Sequence, residues 1–241
     1  MAVLVGTSGW VYQSWRGDFY PRGLAQSAWL AHYAAEFPTV EVNSTFYRLA
    51  RASAAESWAA AVPDDFRFVV KGSRYLTHMR RLRDVDAGVQ RFFAPLEPLG
   101  DKLAAVLWQL PPNDRVDVAR LDAFLAALPS DVAHAVEFRH PSWLTHDVAD
   151  VMSRRGAMTV NVSGPQFPAR TDVTGGRPYV RFHGLRPGYE YDYTSTDLES
   201  WVEHLRRYDD GFAFFNNDVG GHAVANARSL RSMLERHHSA A

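Results

Sequence analysis

Short apolar runs rich in β-branched and aromatic residues alternate along this chain with longer stretches in which apolar positions recur every three or four residues. The short runs predict strands at Val3–Gly6, Thr39–Asn43, Phe66–Lys71, Leu103–Gln109, Ala133–Phe138, Ala157–Val162, Tyr179–His183 and Phe212–Asn216. The longer ones predict helices over Leu24–Phe37, Ser53–Val62, Asp84–Leu96, Val118–Leu128, Leu144–Arg155, Thr196–Tyr208 and Ala223–Arg236. The stretch after the sixth strand is rich in Gly and Pro and reads as irregular. Strands that alternate with helices in this way point to a parallel sheet. Eight such units in 241 residues are the number that closes a (β/α)8 barrel of the TIM type in the α/β class. An open doubly wound sheet is the rival, but no Gly-rich dinucleotide fingerprint follows the first strand. With no repeat, linker or low-complexity tract, residues 1–241 read as one domain.

What ends each strand is the informative part. The apolar runs finish in Thr7-Ser8, Glu41 with Asn43, Lys71, Gln109, Glu137 with Arg139, Asn161, Arg181 with His183, and Asn216 with Asp218. Side chains two apart on a strand share a face. Glu41 and Asn43 therefore point together, as do Glu137 and Arg139, Arg181 and His183, and Asn216 and Asp218. If those faces point inward, ionisable groups converge on the C-terminal mouth of the barrel, where such folds carry their sites. Charges placed there without partners would cost several kcal/mol each, so they must pair with one another or hold a ligand.

Composition narrows the chemistry. Hydrophobic residues make up 46% of the chain, enough for a large core, and no apolar stretch approaches the ~20 residues that span a bilayer. No membrane partner is expected. Met1 leads directly into the first strand without a charged lead, so the expected compartment is the cytoplasm. A formal net charge of -1 argues against a surface that is basic all over, but leaves room for a local basic patch. The absence of cysteine excludes disulfides, thiolate ligands and cysteine nucleophiles.

The chain resembles the YecE-like family, the domain of unknown function numbered seventy-two. The residues that carry the resemblance are Gly6-Thr7-Ser8-Gly9-Trp10 with Tyr12 and Trp15, then Val40-Glu41-Val42-Asn43-Ser44-Thr45-Phe46-Tyr47, then Lys71-Gly72-Ser73-Arg74-Tyr75 with Thr77-His78. Trp108-Gln109-Leu110-Pro111-Pro112, Val136-Glu137-Phe138-Arg139-His140 with Ser142-Trp143, Arg181-Phe182-His183-Gly184 and Phe215-Asn216-Asn217-Asp218 follow in order. The resemblance implies a TIM-type barrel and no established reaction. Asn161 on the sixth strand, and the glycines of Val219-Gly220-Gly221-His222, depart from the family's pattern.

Several residues are candidates for chemistry. Glu41 and Glu137 have the make-up of a general acid/base pair. Lys71 suits a Schiff base or a charge clamp, the bland alternative being an ion pair with either glutamate. His183 suits proton transfer. Asp218 completes the catalytic candidates. Thr7, Ser8, Trp10, Tyr12, Asn43, Tyr47, Arg74, Gln109, Arg139, Trp143, Arg181 and Asn216 are candidates for substrate binding, with several of the aromatics necessarily in the core. Glu41, Glu137, His183 and Asp218 have the donor types for a hard divalent ion, but no compact motif of the His-Glu-x-x-His kind is present and no metal is assigned. No cofactor is indicated. Gly220-Gly221 opens the last helix, where free N–H groups favour an anion. Arg67, Lys71, Arg74, Arg80, Arg81 and Arg83 follow one another with no acidic residue between them, with Tyr75 and His78 among them; they would attract phosphate, or form an ordinary solvated loop. The leading expectation is an enzyme acting on a phosphorylated or otherwise anionic small molecule, a sugar-like one among the options. The alternatives are phosphodiester or glycosidic cleavage on nucleic acid, and a binding module without turnover.

Overall fold

The computed structural model describes residues 3–165 and 170–238. Its strands are β1 (Leu4–Thr7), β2 (Thr39–Val42), β3 (Arg67–Lys71), β4 (Leu103–Gln109), β5 (Ala133–Glu137), β6 (Met158–Ser163), β7 (Tyr179–Phe182) and β8 (Phe212–Phe215). They are hydrogen-bonded in chain order, and β8 returns to β1, so the sheet is a closed barrel. The pairings are parallel, with Leu4 opposite Phe212 and Tyr179 opposite the same Phe212 from the other side. The α/β barrel class read from the sequence is the fold. Strands covered on both faces need apolar residues at consecutive positions, which is why Phe-Ala-Phe-Phe in β8 reads as a run rather than an alternation.

The helices are α1 (Trp29–Ala34), α2 (Ser44–Tyr47), α3 (Ala52–Ala60), α4 (Asp86–Phe93), α5 (Val118–Ala126), α6 (His146–Arg154), α7 (Ser195–Leu205) and α8 (His222–His238). Three have side-chain caps at their starts, from Asp117, Thr145 and a reciprocal Thr194–Asp197 pair. Two expected helices are shorter than their periodicity predicts. The one expected over Leu24–Phe37 is α-helical only from Trp29 to Ala34, because Pro38 disfavours helical backbone at Phe37 and neither Ala25 nor Ala28 supplies a cap. The one expected over Asp84–Leu96 stops at Phe93, and Ala94–Lys102 continues as a tighter 3-10 stretch containing Pro95 and Pro98, which lack the N–H that an α-helix needs. Among the short helical turns without a sequence signal are α2 and a π-helical turn at Tyr75–Met79. Both are too short for periodicity to register. Residues 166–169 of the expected irregular stretch lie outside the described residues. Among the described residues no helix is long and apolar enough to cross a membrane.

By internal contacts the chain divides into two compact units. The first is Met1–Glu41, Asn161–Asp172 and Arg177–Ala241; the second is Val42–Val160 and Val173–Gly176. In the first unit, Gly6 lets β1 and β2 close on a tyrosine. A Cβ there would stand 2.2 Å from the Thr39 carbonyl oxygen. In its place the Tyr33 hydroxyl accepts from the Thr7 N–H at 2.9 Å and donates to the Thr39 carbonyl at 2.9 Å. Tyr33 belongs to an aromatic cluster with Trp15, Phe19 and Phe37, while Tyr20 stacks on Trp29. This cluster fixes Trp15, which matters below.

In the second unit, Gly72 follows β3 so closely over Trp108 that a Cβ would fall 2.1 Å from the indole. Trp108 is fully buried against Phe92 and Phe124 and cannot yield. Gly72→Ala is expected to cost about 1–3 kcal/mol or more by overpacking. A thermal melt should show a drop of about 2–4 °C per kcal/mol; an unchanged melting temperature would mean that the indole can move aside.

Candidate active site

In the first unit the strand ends hold a buried polar cluster centred on Glu41, which has no solvent exposure. Four donors reach its two oxygens. Ser8 Oγ donates at 2.8 Å, the Tyr179 hydroxyl at 2.7 Å, and Arg181 through Nε at 3.0 Å and NH2 at 2.7 Å. A bidentate guanidinium–carboxylate pair of this kind is strongly oriented. Arg181 is itself 1% exposed. Tyr179, Arg181 and His183 stand two apart, and the shared face expected for Arg181 and His183 is real: Arg181 NH1 lies 3.4 Å from His183 Nε2. Tyr179 was missed as a site residue, although the same period-two rule puts it on that face.

His183 also meets Asn216, with 3.0 Å between Nδ1 and the side-chain amide. A guanidinium can only donate, so Nε2 keeps its lone pair. The Asn216 atom that meets Nδ1 is the amide nitrogen, Nδ2. The Tyr189 ring leans edge-on against His183 at 5.7 Å. Tyr189 holds a positive φ of 62°, and its carbonyl accepts from the Val219 N–H, which ties the β7–α7 loop to the segment after β8. A bulky residue in that conformation is strained and persists only where its surroundings hold it. Tyr189 too was missed, since loop conformation leaves no periodic trace.

Asp218, two residues beyond Asn216, is half-buried, and its Oδ1 accepts the Trp15 indole N–H at 2.7 Å. Burial pushes its carboxyl up to about 6, against the Trp15 hydrogen bond and the His222 charge, which both pull it down. Burial, then the charges of Asp218 and Glu41, hold the Tyr12 hydroxyl well above the usual tyrosine range. Tyr12 therefore stays protonated and donates to the Ser8 carbonyl at 2.6 Å.

The second unit holds its own charged groups. Glu137, without solvent exposure, pairs with Arg139 as the i, i+2 spacing requires, and lies in register with Gln109 of β4. The Lys71 ammonium sits 4.4 Å above the Phe46 ring, and the Thr45 hydroxyl lies 2.7 Å from the Lys71 carbonyl, fastening α2 to the end of β3. His78 meets Phe46 edge-on at 5.0 Å. Burial first, then the charges of Lys71 and Arg74, hold His78 below the usual histidine range, so it is neutral at pH 7. The Arg74 guanidinium covers the exposed Tyr47 ring at 5.7 Å. Asn43, half-buried, follows β2 into α2.

Three of the expected binding residues are committed to structure. Thr7 is fully buried against Tyr33, and Trp10 is buried with its carbonyl accepting from Tyr20. Trp143 is 1% exposed, stacked on Phe138, with its indole N–H on the Asp114 carbonyl. A large ring next to a strand end has two ways to be buried, against a ligand or against its own chain, and for Trp143 the second applies. Among the described residues no three His, Asp or Glu side chains gather as a metal-ligand set.

A closed parallel barrel whose strands end in buried, hydrogen-bonded ionisable groups defines the class: a TIM-type barrel with a candidate site at the C-terminal ends of its strands. The chain belongs to the family described as protein of unknown function DUF72, whose model matches residues 4–241. Among its relatives, UPF0759 protein YunF of Bacillus subtilis is 29% identical over 278 aligned positions, covering 98% of this chain and 96% of that protein. UPF0759 protein YecE of Escherichia coli K12 is 26% identical over 196 positions, covering 76% of this chain and 70% of that protein. A DUF72 family protein from Thermotoga maritima has a crystal structure that superposes with a TM-score of 0.87 at 31% identity, covering 98% of this chain and all of that one. One from Enterococcus faecalis gives 0.83 at 22% identity, covering 97% and 95%, a likeness of fold.

Proposed function

We propose that this protein is an enzyme that carries out acid–base chemistry on a small anionic molecule, a phosphorylated sugar-like compound being the best fit, with Asp218 as the proton carrier. The observation that carries this reading is the pair of carboxylates in the first unit. Glu41 is saturated by four donors and has no lone pair positioned for a substrate, whereas Asp218 is half-buried, bonded once, and raised toward neutrality. A carboxyl held by burial near neutral pH is the usual mark of a general acid or base. Glu41 then acts as a positioning residue that orients Arg181, and Arg181 with His183 and Asn216 supplies the polar wall. The anionic group is favoured by the N-terminal turn of α8, which follows the last strand of the barrel, where such folds commonly hold phosphate.

The test is a panel of phosphorylated sugars assayed for turnover with wild type and Asp218→Asn, with inorganic phosphate binding measured in parallel by calorimetry. The expected result is phosphate binding by both proteins and a fall in turnover of about 10²–10⁴-fold in the variant, the size of a lost general acid or base. Turnover that survives Asp218→Asn, or a protein that binds no phosphate, overturns the reading.

A further inference from the structure

Within the second unit, the segment from Arg74 to Asp84 has three features that ordinary solvated loops lack. Tyr75–Met79 is a π-helical turn, a rare conformation found mostly at functional positions. It is followed by Arg81, Leu82 and Asp84 at positive φ (49°, 63° and 48°), three of the four non-glycine residues with that backbone among the described residues. Such strain is retained where the shape of the backbone has a use. Finally, the surface that results carries rings facing solvent: Tyr47 is 69% exposed and Tyr75 44%.

The charge around those rings is one-sided. Arg80 is paired with Asp84, and Arg81 lies 3.8 Å from the buried Asp114, whose nearer partner is Arg120. Arg48, Arg51, Arg74 and Arg83 are exposed and make no ion pair among the described residues. Arg74 lies over the Tyr47 ring instead. The formal net charge of the chain is only -1, so this is a local concentration of positive charge rather than a general property. Exposed phenol rings interleaved with unpaired arginines are the composition of a single-strand binding platform, in which guanidinium groups follow the phosphates and unpaired bases stack on the rings. A duplex keeps its bases stacked internally and offers the rings nothing. A small phosphate would use the arginines and leave the rings bare.

The geometry points to this face, built from α2, Arg48 and the Arg74–Asp84 loop, as a docking surface for single-stranded nucleic acid. None of its residues belongs to the acid–base cluster of the first unit, and either assignment stands without the other.

The test is fluorescence anisotropy of the full chain with a labelled oligothymidylate of about 15 nucleotides. A duplex of equal length and heparin, a polyanion without bases, serve as competitors. Saturable binding is expected at low salt, with affinity falling at least about tenfold between about 50 and 200 mM. Tyr47→Ala and Tyr75→Ala should each weaken binding about tenfold, as loss of a stacked base does, and Arg74→Glu should weaken it further. Arg207→Ala, an exposed arginine on the first unit, should leave it unchanged. The tyrosines are exposed, so the variants should fold, as circular dichroism would verify. Absence of saturable binding, affinity untouched by the tyrosine and Arg74 changes, or competition by duplex or heparin as strong as by the unlabelled single strand would each overturn the assignment. Phosphate binding and turnover, read at Asp218, test the other cluster independently.

Discussion

Urea unfolding of an Arg181→Met variant is expected to show a loss of about 3–5 kcal/mol. Arg181 and Glu41 are both withdrawn from water, and two of the four hydrogen bonds to Glu41 come from the guanidinium. Methionine retains much of the aliphatic bulk, so the cavity contribution is small. The main loss is that a buried carboxyl group gives up both guanidinium hydrogen bonds, while those from Ser8 and Tyr179 remain. The prediction has a built-in control. In Glu41→Gln with Arg181→Met the charge is gone while an amide oxygen remains for both hydroxyls, and the double variant should be more stable than Arg181→Met alone. Buried pairs behave in this way because breaking them costs more than replacing them. A single-variant loss below about 1 kcal/mol would mean that water reaches Glu41.

The second large effect concerns Asp218 and pH. Burial raises its carboxyl to about 6 in the folded protein. Between the ordinary carboxylate range and that value, the folded chain holds the proton and the unfolded chain releases it. The stability this group contributes is therefore complete at acid pH and is lost as pH rises through about 6. A shift of this size corresponds to at most about 3 kcal/mol, and because the group is only half-buried, screening by solvent reduces it to roughly 1 kcal/mol. Asp218→Asn removes the titration. The variant should match wild type near pH 4, exceed it in stability near pH 8, and lose the limb near 6 from any pH–rate profile. Denaturant midpoints at the two pH values check this, and a variant less stable than wild type at pH 8 would contradict it.

How much of this was legible depended on whether the relevant partner lay nearby in sequence. The barrel was legible because each strand is an apolar run flanked by helical periodicity, and closure follows from the count. The pairing of Glu137 with Arg139 and the contact of Arg181 with His183 follow from alternation along one strand, and the sequence shows both. The partner of Glu41 was not legible. Arg181 is 140 residues away, and which strand-end side chains meet depends on register, which no single strand encodes. The same holds for Asp218: its setting is made by Trp15, 203 residues distant and fixed by an aromatic cluster around Tyr33. Trp143 illustrates the opposite case. Its place beside a strand end suited a ligand wall, yet Phe138 and the Asp114 carbonyl take both its face and its N–H. The strained turn after β3 showed its arginines, Tyr75 and His78 but not its shape, because backbone conformation at Arg81, Leu82 and Asp84 has no compositional mark.

The assignment of a proton carrier among these strand ends is tested most directly by following the Asp218 side-chain carboxyl carbon through a pH titration by NMR, with Asp218→Asn to identify the resonance. A midpoint close to 6 is the predicted result. A midpoint near 4, where an ordinary aspartate titrates, would contradict it and leave the cluster around Glu41 and Arg181 a structural plug.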